Sequence, residues 1–219
     1  MSDLPEALEP EAETVSTSEV VSAPAARKRP KPGERRVQIL QTLAEMLEQP
    51  GADRVTTAAL AAQLQVSEAA LYRHFASKAQ MFEGLIDFIE QSVFSLINQV
   101  VEREGDGVAK AARIVALLMQ FSERNPGMTR VMVGDALVFE HERLNTRMNQ
   151  FFDRVESQLR QCLRGAVEAA GSPTPTVDAN ALASALVSLV TGRLQRYARS
   201  GFKRSPTEHL DTALIRLTS

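Results

Sequence analysis

The 23 residues from Thr56 to Lys78, TTAALAAQLQVSEAALYRHFASK, constrain the fold of this chain more than any other stretch. A hydroxyl at Thr56 or Thr57 predicts a helix start, because the first turn of a helix leaves backbone N–H groups without an acceptor. Leu60, Ala61 and Leu64 then share one face. Gln65 and Val66 break the period, and Ser67 predicts a second cap, opening a helix that turns Ala70, Leu71 and Phe75 inward. Ser77, with Gln80 three residues on, predicts a capping box for a third helix. Two short capped helices across a tight turn, the second with a polar start, form the helix-turn-helix pattern, whose second helix fits the DNA major groove. Tyr72 and His74 cannot both share the core face of Leu71 and Phe75, so at least one of them has a surface role.

Charge points the same way. Residues 1–26 carry six acids and no Lys or Arg, a balance of −6. Residues 27–80 carry nine bases and five acids, a balance of +4, and residues 81–219 sum to zero. A positive field thus coincides with the helix-turn-helix, as phosphate binding requires. No apolar stretch approaches the roughly 18 residues of a membrane span, and no basic start with an apolar run marks a secretory signal. The expected location is the cytoplasm. A single cysteine, Cys162, permits no internal disulfide and has helical spacing with Leu159 and Leu163, which reads as a small buried hydrophobe. His74, His141 and His209 lack metal-ligand spacing, and neither a Gly-rich phosphate loop nor a nucleophile elbow occurs, so no enzyme, cofactor or metal is expected. His141, between Glu140 and Glu142, reads as a solvated helix face.

The rest of the chain reads as helix after helix, an all-α fold. Residues 1–32, rich in Glu, Ala, Ser and Pro, are expected to be a disordered tail. Its Arg27-Lys28-Arg29-Pro30-Lys31 segment is either a basic arm along DNA or a solubilising tail. Helix one is expected from near Gly33 to Glu48, stopped by Gln49-Pro50-Gly51. A DNA-binding module at 33–77 is followed by a larger helical dimerisation and regulatory domain at 78–219. There the pattern predicts helices from Lys78 to about Arg103, Val108 to Arg124, Met128 to Val133, and Asp135 to about Ala170. A further helix runs from an Asp178 cap to Ser200, stopped by Gly201, and a last one opens on a Ser205-Pro206-Thr207-Glu208 capping box. The helix at 108–124 is apolar nearly all round and is expected to be central. Leu182, Leu186, Leu189, Val190, Leu194, Leu210, Leu214 and Leu217 predict a homodimer seam, which would set two reading helices about 34 Å apart over palindromic double-stranded DNA.

The residues Val66 to Phe75, then Ser77-Lys78, resemble the second DNA-binding helix and the following helix entry of the TetR family of regulators. That implies a TetR-like fold, with Tyr72, His74 and Lys78 at phosphate-clamping positions. Thr56 and Thr57 stand where a helix N-terminus meets a phosphate. Base reading falls to the exposed start of the second helix, at Ser67, Glu68, Ala69, Ala70 and Arg73. The resemblance extends over about residues 35–218. Its carriers include Arg36 to Ala44, Leu85 to Glu90, Phe121-Ser122-Glu123-Arg124-Asn125-Pro126-Gly127-Met128-Thr129-Arg130, Ala136 to Glu140, and Phe202 to Thr207. These are similar to the nucleoid-occlusion branch of the family, whose members bind specific chromosomal sites and antagonise FtsZ assembly there. The resemblance implies a groove for the FtsZ tail formed by Phe88, Leu117, Gln120, Arg124 and Asn125, and allows higher-order assembly on DNA. Leu96 stands where that branch places an arginine, and Gln120 where a glycine is usual. From spacing alone, Phe88 and Leu117 read as core and Arg124 as a helix C-cap. The alternative function is a ligand-responsive TetR-type repressor with an inducer pocket in the larger domain.

Overall fold

In the computed structural model the described residues, 33–49 and 54–218, form nine α-helices and one 3-10 turn, with no strand among them. The expected tail, its basic arm and the Pro50-Gly51 stop lie outside the described residues. Helix α1 (Glu34–Glu48), α2 (Thr57–Gln63) and α3 (Glu68–Tyr72) come first, within one compact unit that spans residues 31–219. Their ends obey the local chemistry. The Thr56 hydroxyl oxygen accepts from Ala59 N–H at 3.1 Å, and that of Ser67 from Ala70 N–H at 3.3 Å. Between them Gln65 takes φ 55°, a left-handed conformation rare outside glycine. Two backbone bonds hold that reversal, Val66 N–H to Ala61 C=O and Gln65 N–H to Ala62 C=O, both 3.0 Å. Leu60, Leu71 and Phe75 are buried beneath the turn with Ile39, Leu43 and Leu47 of α1, and Ala70 is half-buried.

Helix α4 (Lys78–Arg103) starts on Ser77, whose hydroxyl oxygen accepts from Gln80 N–H at 3.2 Å. The reciprocal half of the box goes to Ala76 N–H rather than Ser77 N–H, at 2.9 Å from Gln80 Oε1. Helix α5 (Gly107–Arg124) is central, as its pattern predicts: it packs against α4, α7 and α8, with Ala111, Ile114, Val115 and Leu118 wholly buried. Asn125 ends α5 and opens α6 (Pro126–Met132), with proline at the first helical position, where its missing N–H costs nothing.

The predicted helix from Asp135 to Ala170 is broken. A 3-10 turn (Asp135–Leu137) follows Gly134, which has φ 85°, and α7 begins only at Glu142 and runs to Ala169. His141 caps α7: its imidazole Nδ1 accepts from Arg143 N–H at 3.2 Å, so it is a cap and not a helix face. Along α7, Leu144, Met148, Phe151, Val155, Leu159 and Leu163 form a buried stripe. Burying each such side chain contributes about 1.5–3 kcal/mol, so this stripe anchors the helix.

Helix α8 (Pro175–Arg199) starts three residues before the predicted Asp178 cap. Proline supplies the first turn, and the Asp178 carboxylate accepts from the hydroxyls of Ser172 and Thr174. Gly201, at φ 62°, stops α8 as expected. The Ser205 box does not form: α9 begins at Leu210 and runs to Thr218. Ser205 and Thr207 instead donate their hydroxyls to the Glu123 carboxylate of α5. Most of the expected seam is used within the chain. Leu186, Val190, Leu194, Leu210 and Leu214 are buried, whereas Leu217 is 41 % exposed. Along the middle of α8, from 181 to 195, the exposed positions carry small side chains, Ala181, Ser184, Ala185, Ser188 and Gly192.

Candidate nucleic-acid interface and partner groove

The helix-turn-helix presents its polar residues outward because its apolar ones are spent on the core. Leu71 and Phe75 are 1 % exposed, while Tyr72, Arg73 and His74 are exposed, Tyr72 at 45 %. Both Tyr72 and His74 therefore lie on the surface. Ser67, Glu68 and Ala69 are exposed at the start of α3. The Glu68 carboxylate accepts from the Thr57 hydroxyl at 2.6 Å, fastening α3 to α2. Thr56 is exposed, and its hydroxyl hydrogen is left over once the oxygen has capped α2.

Two residues outside the predicted set shape this surface. Arg36 of α1 donates to the His74 carbonyl at 2.8 Å and lies 4.0 Å from the centroid of the Phe75 ring, so α1 fixes the end of α3. Glu140, just before α7, forms an ion pair with the Lys78 ammonium. Neither pairing follows from local spacing: the partners are 38 and 62 residues apart.

The second site lies between α4 and α5. A groove of about 390 Å³ is lined by Leu96 and Val100 of α4 and by Arg113, Ala116, Leu117, Gln120, Phe121, Arg124 and Asn125. Four of the five predicted partner residues, Leu117, Gln120, Arg124 and Asn125, thus meet at one place. Phe88 does not line the groove, lying on α4 about 12 Å before Leu96 at 1.5 Å per residue. It is nonetheless 49 % exposed, so its core reading from spacing fails, whereas Leu117 is half-buried and packs against the core. Helical position fixes which face a residue shares but not whether another element covers that face.

The groove's polar ends differ in freedom. Asn125 Nδ2 donates to the Phe121 carbonyl at 2.7 Å, which orients the amide. Arg113 pairs with Glu104 at 3.4 Å. Arg124 is exposed and, among the described residues, has no hydrogen bond or ion pair. Apolar walls with a free guanidinium at one end suit an extended segment that brings an apolar side chain and an acceptor.

No helix among the described residues is long and apolar enough to cross a membrane, and no group of His, Cys, Asp and Glu among them could hold a metal ion. The thiol of Cys162 is raised above its ordinary pKa by burial, partly offset by Lys110, so it is held as the unreactive neutral form.

A profile described as "Bacterial regulatory proteins, tetR family" matches residues 39–85, and one described as "Tetracyclin repressor-like, C-terminal domain" matches residues 105–218. The chain is 53 % identical to the nucleoid occlusion factor SlmA of Photobacterium profundum over 178 residues, 81 % of this chain and 90 % of that protein. It is 54 % identical to the SlmA of Vibrio cholerae, with the same coverage of both chains, and 52 % identical to that of Aliivibrio fischeri, covering 83 % of this chain and 93 % of that one. In fold it is similar to the fatty acid degradation regulator FadR of Bacillus halodurans (TM-score 0.70, 13 % identity, 87 % and 97 % of the two chains). It is likewise similar to the TetR family regulator PfmR of Thermus thermophilus (TM-score 0.68, 20 % identity, 83 % and 97 %). The chain therefore belongs to the TetR family of bacterial regulatory proteins, in the branch of the nucleoid occlusion factor SlmA.

Proposed function

We propose that this chain binds specific chromosomal sites as a homodimer and, when bound, inhibits FtsZ ring assembly over the nucleoid. The observation that carries this reading is identity above half to proteins named nucleoid occlusion factor, spanning both the reading module and the groove-bearing domain. Thr56, Thr57, Tyr72, His74 and Lys78 engage phosphates, and the start of α3, from Ser67 to Ala70 with Arg73, faces base edges. The groove holding Leu117, Gln120, Arg124 and Asn125 takes the FtsZ tail, and exposed Phe88, about 12 Å along α4 from Leu96, would meet only a longer stretch of it. The row of small side chains on α8 lets a second copy approach closely, which sets two reading heads over a palindrome. The site of action is the nucleoid in the cytoplasm.

The core supports division control over ligand-gated repression. Ile114, Val115, Leu118, Leu159, Leu163, Leu186 and Val190 line the region between α5, α7 and α8, and each has zero exposure. No void of even water size touches them, so an inducer there would have to displace packed side chains.

Two measurements test the proposal. Pull-down with FtsZ should show association that rises when site DNA is present, and Arg124→Glu should abolish it while leaving DNA affinity within twofold. In binding assays Tyr72→Ala should weaken all duplexes alike, whereas Ala69→Ser should shift site preference. FtsZ capture that is indifferent to both DNA and Arg124 would remove the division-control reading.

A further inference from the structure

Lys78 opens α4, directly after the reading module, yet its ammonium is already engaged. It is ion-paired with Glu140 and lies 5.6 Å from the centroid of the Phe82 ring. The Lys78 side chain is 24 % exposed and that of Glu140 9 %. Below this pair two rungs join α4 to α7 itself. Arg143 donates to Glu83 at 2.7 Å, and Arg147 binds Glu90 at 2.8 Å together with Asp87. These contacts hold the Arg147 guanidinium above its ordinary pKa, the Glu90 hydrogen bond most of all. Charge therefore pins the start of α7 and the segment before it along the first half of α4 at three levels.

The segment carrying Glu140 is held by little else. It spans the break between the 3-10 turn and α7, and Val138 and Phe139 in it are 67 % and 66 % exposed. Its backbone bonds are Glu140 N–H to the Leu137 carbonyl at 3.0 Å and, at its far end, Leu144 N–H to the His141 carbonyl at 2.9 Å, beside the His141 cap. The break, the exposed apolar pair and the single carboxylate on the DNA-side lysine occur together.

We infer that Glu140 competes with DNA phosphate for Lys78, and that capture of Lys78 by DNA unhooks Glu140 and loosens residues 138–141. The inference rests on the reading of Lys78 as a phosphate contact. A lysine ammonium is a compact charge on a flexible stem, able to swing from one anion to another. A carboxylate and a phosphate drawn to one cation repel each other, and the dense charge of the duplex drives the carboxylate away. The lower rungs, Arg143 and Arg147, do not involve Lys78, so α7 stays docked on α4 and only its leading segment is released. Linkage makes the effect reciprocal: a ligand that traps 138–141 in the released form tightens DNA binding by the same factor that DNA favours release.

The test uses the full chain and a labelled duplex taken from a mapped chromosomal site. Affinities are measured for wild type, Glu140→Gln, Lys78→Met and the double variant, and amide hydrogen exchange is followed across 138–141 with and without the duplex. Glu140→Gln should bind about five- to tenfold tighter, and the gain should vanish in the Lys78→Met background. The duplex should speed exchange at the Glu140 amide of wild type, a readout that needs no variant to fold. Equal affinity of Glu140→Gln and wild type, a gain that persists without Lys78, or slower exchange on DNA each overturns the proposal. If Lys78→Met alone leaves every duplex affinity unchanged, the phosphate-contact reading falls and the proposal with it. If Lys78→Met weakens binding while Glu140→Gln is neutral, only the competition falls.

Discussion

Gly127→Ala is a severe test of how rigidly α1 and α6 are packed. Gly127 lies in α6 against α1, and a Cβ there would sit 2.0 Å from the Ala44 carbonyl oxygen and 2.9 Å from its carbon. Ordinary contact begins at 3.4 Å, so the two backbones must part by the difference between 3.4 and 2.0 Å, or 1.4 Å. No side chain can yield in their place, because the obstructing atoms are main chain. Overpacking typically costs ~1–3 kcal/mol, and a backbone-on-backbone clash belongs at the upper end. For a chain of this size each kcal/mol lowers Tm by roughly 2–4 °C, which predicts a loss of about 6–12 °C. Thermal melting should be followed at fixed protein concentration, since association raises apparent stability. Gly105→Ala is the control: nothing lies within 4 Å of its Cβ, and its Tm should stay within about 2 °C of wild type. A Gly127→Ala protein that also melts within about 2 °C would refute the argument that α1 and α6 are in rigid backbone contact.

Arg36→Ala removes the donor to the His74 carbonyl and the stack on Phe75, so DNA affinity should fall by about tenfold, with circular dichroism unchanged. Asp106 caps α5, accepting from Ala109 N–H at 2.6 Å, and Asp106→Ala should cost ~1 kcal/mol in denaturant melts without altering DNA binding. The pH dependence of stability has a definite sign at the alkaline end. Burial raises both Cys162 and Tyr197 in the folded state, from ordinary values of 9.0 and 10.0, with Glu123 and Glu48 adding to the effect at Tyr197. A raised folded-state pKa contributes stability that is complete below the ordinary value and lost as pH rises through the raised one. The free energy of unfolding should therefore decline above pH 9, and Cys162→Ala should blunt the earliest part of that decline.

Where the sequence was sufficient, the governing interaction was local. Thr56, Ser67 and Ser77 cap their helices because a hydroxyl and the N–H it accepts from are three residues apart, a relation visible in one dimension. The same locality made α4, α5 and the outward Tyr72-Arg73-His74 face readable, along with the all-α fold. It failed where tertiary partners outbid local ones. Ser205 spends its hydroxyl on Glu123, 82 residues away, and the last helix starts later than its capping pattern suggests. Val138 and Phe139 carry no proline or glycine to mark a break, yet the chain turns there, where Glu140 pairs with Lys78. Phe88 has the apolar character of a core residue and lies half in solvent because no helix among the described residues covers that side of α4. Sequence alone thus determined which residues could cap, turn and face one side of each rod. The packed structure decided which faces were covered, which charges found partners and where the groove opened, since burial and ion pairing depend on distances between segments that the order of residues does not specify.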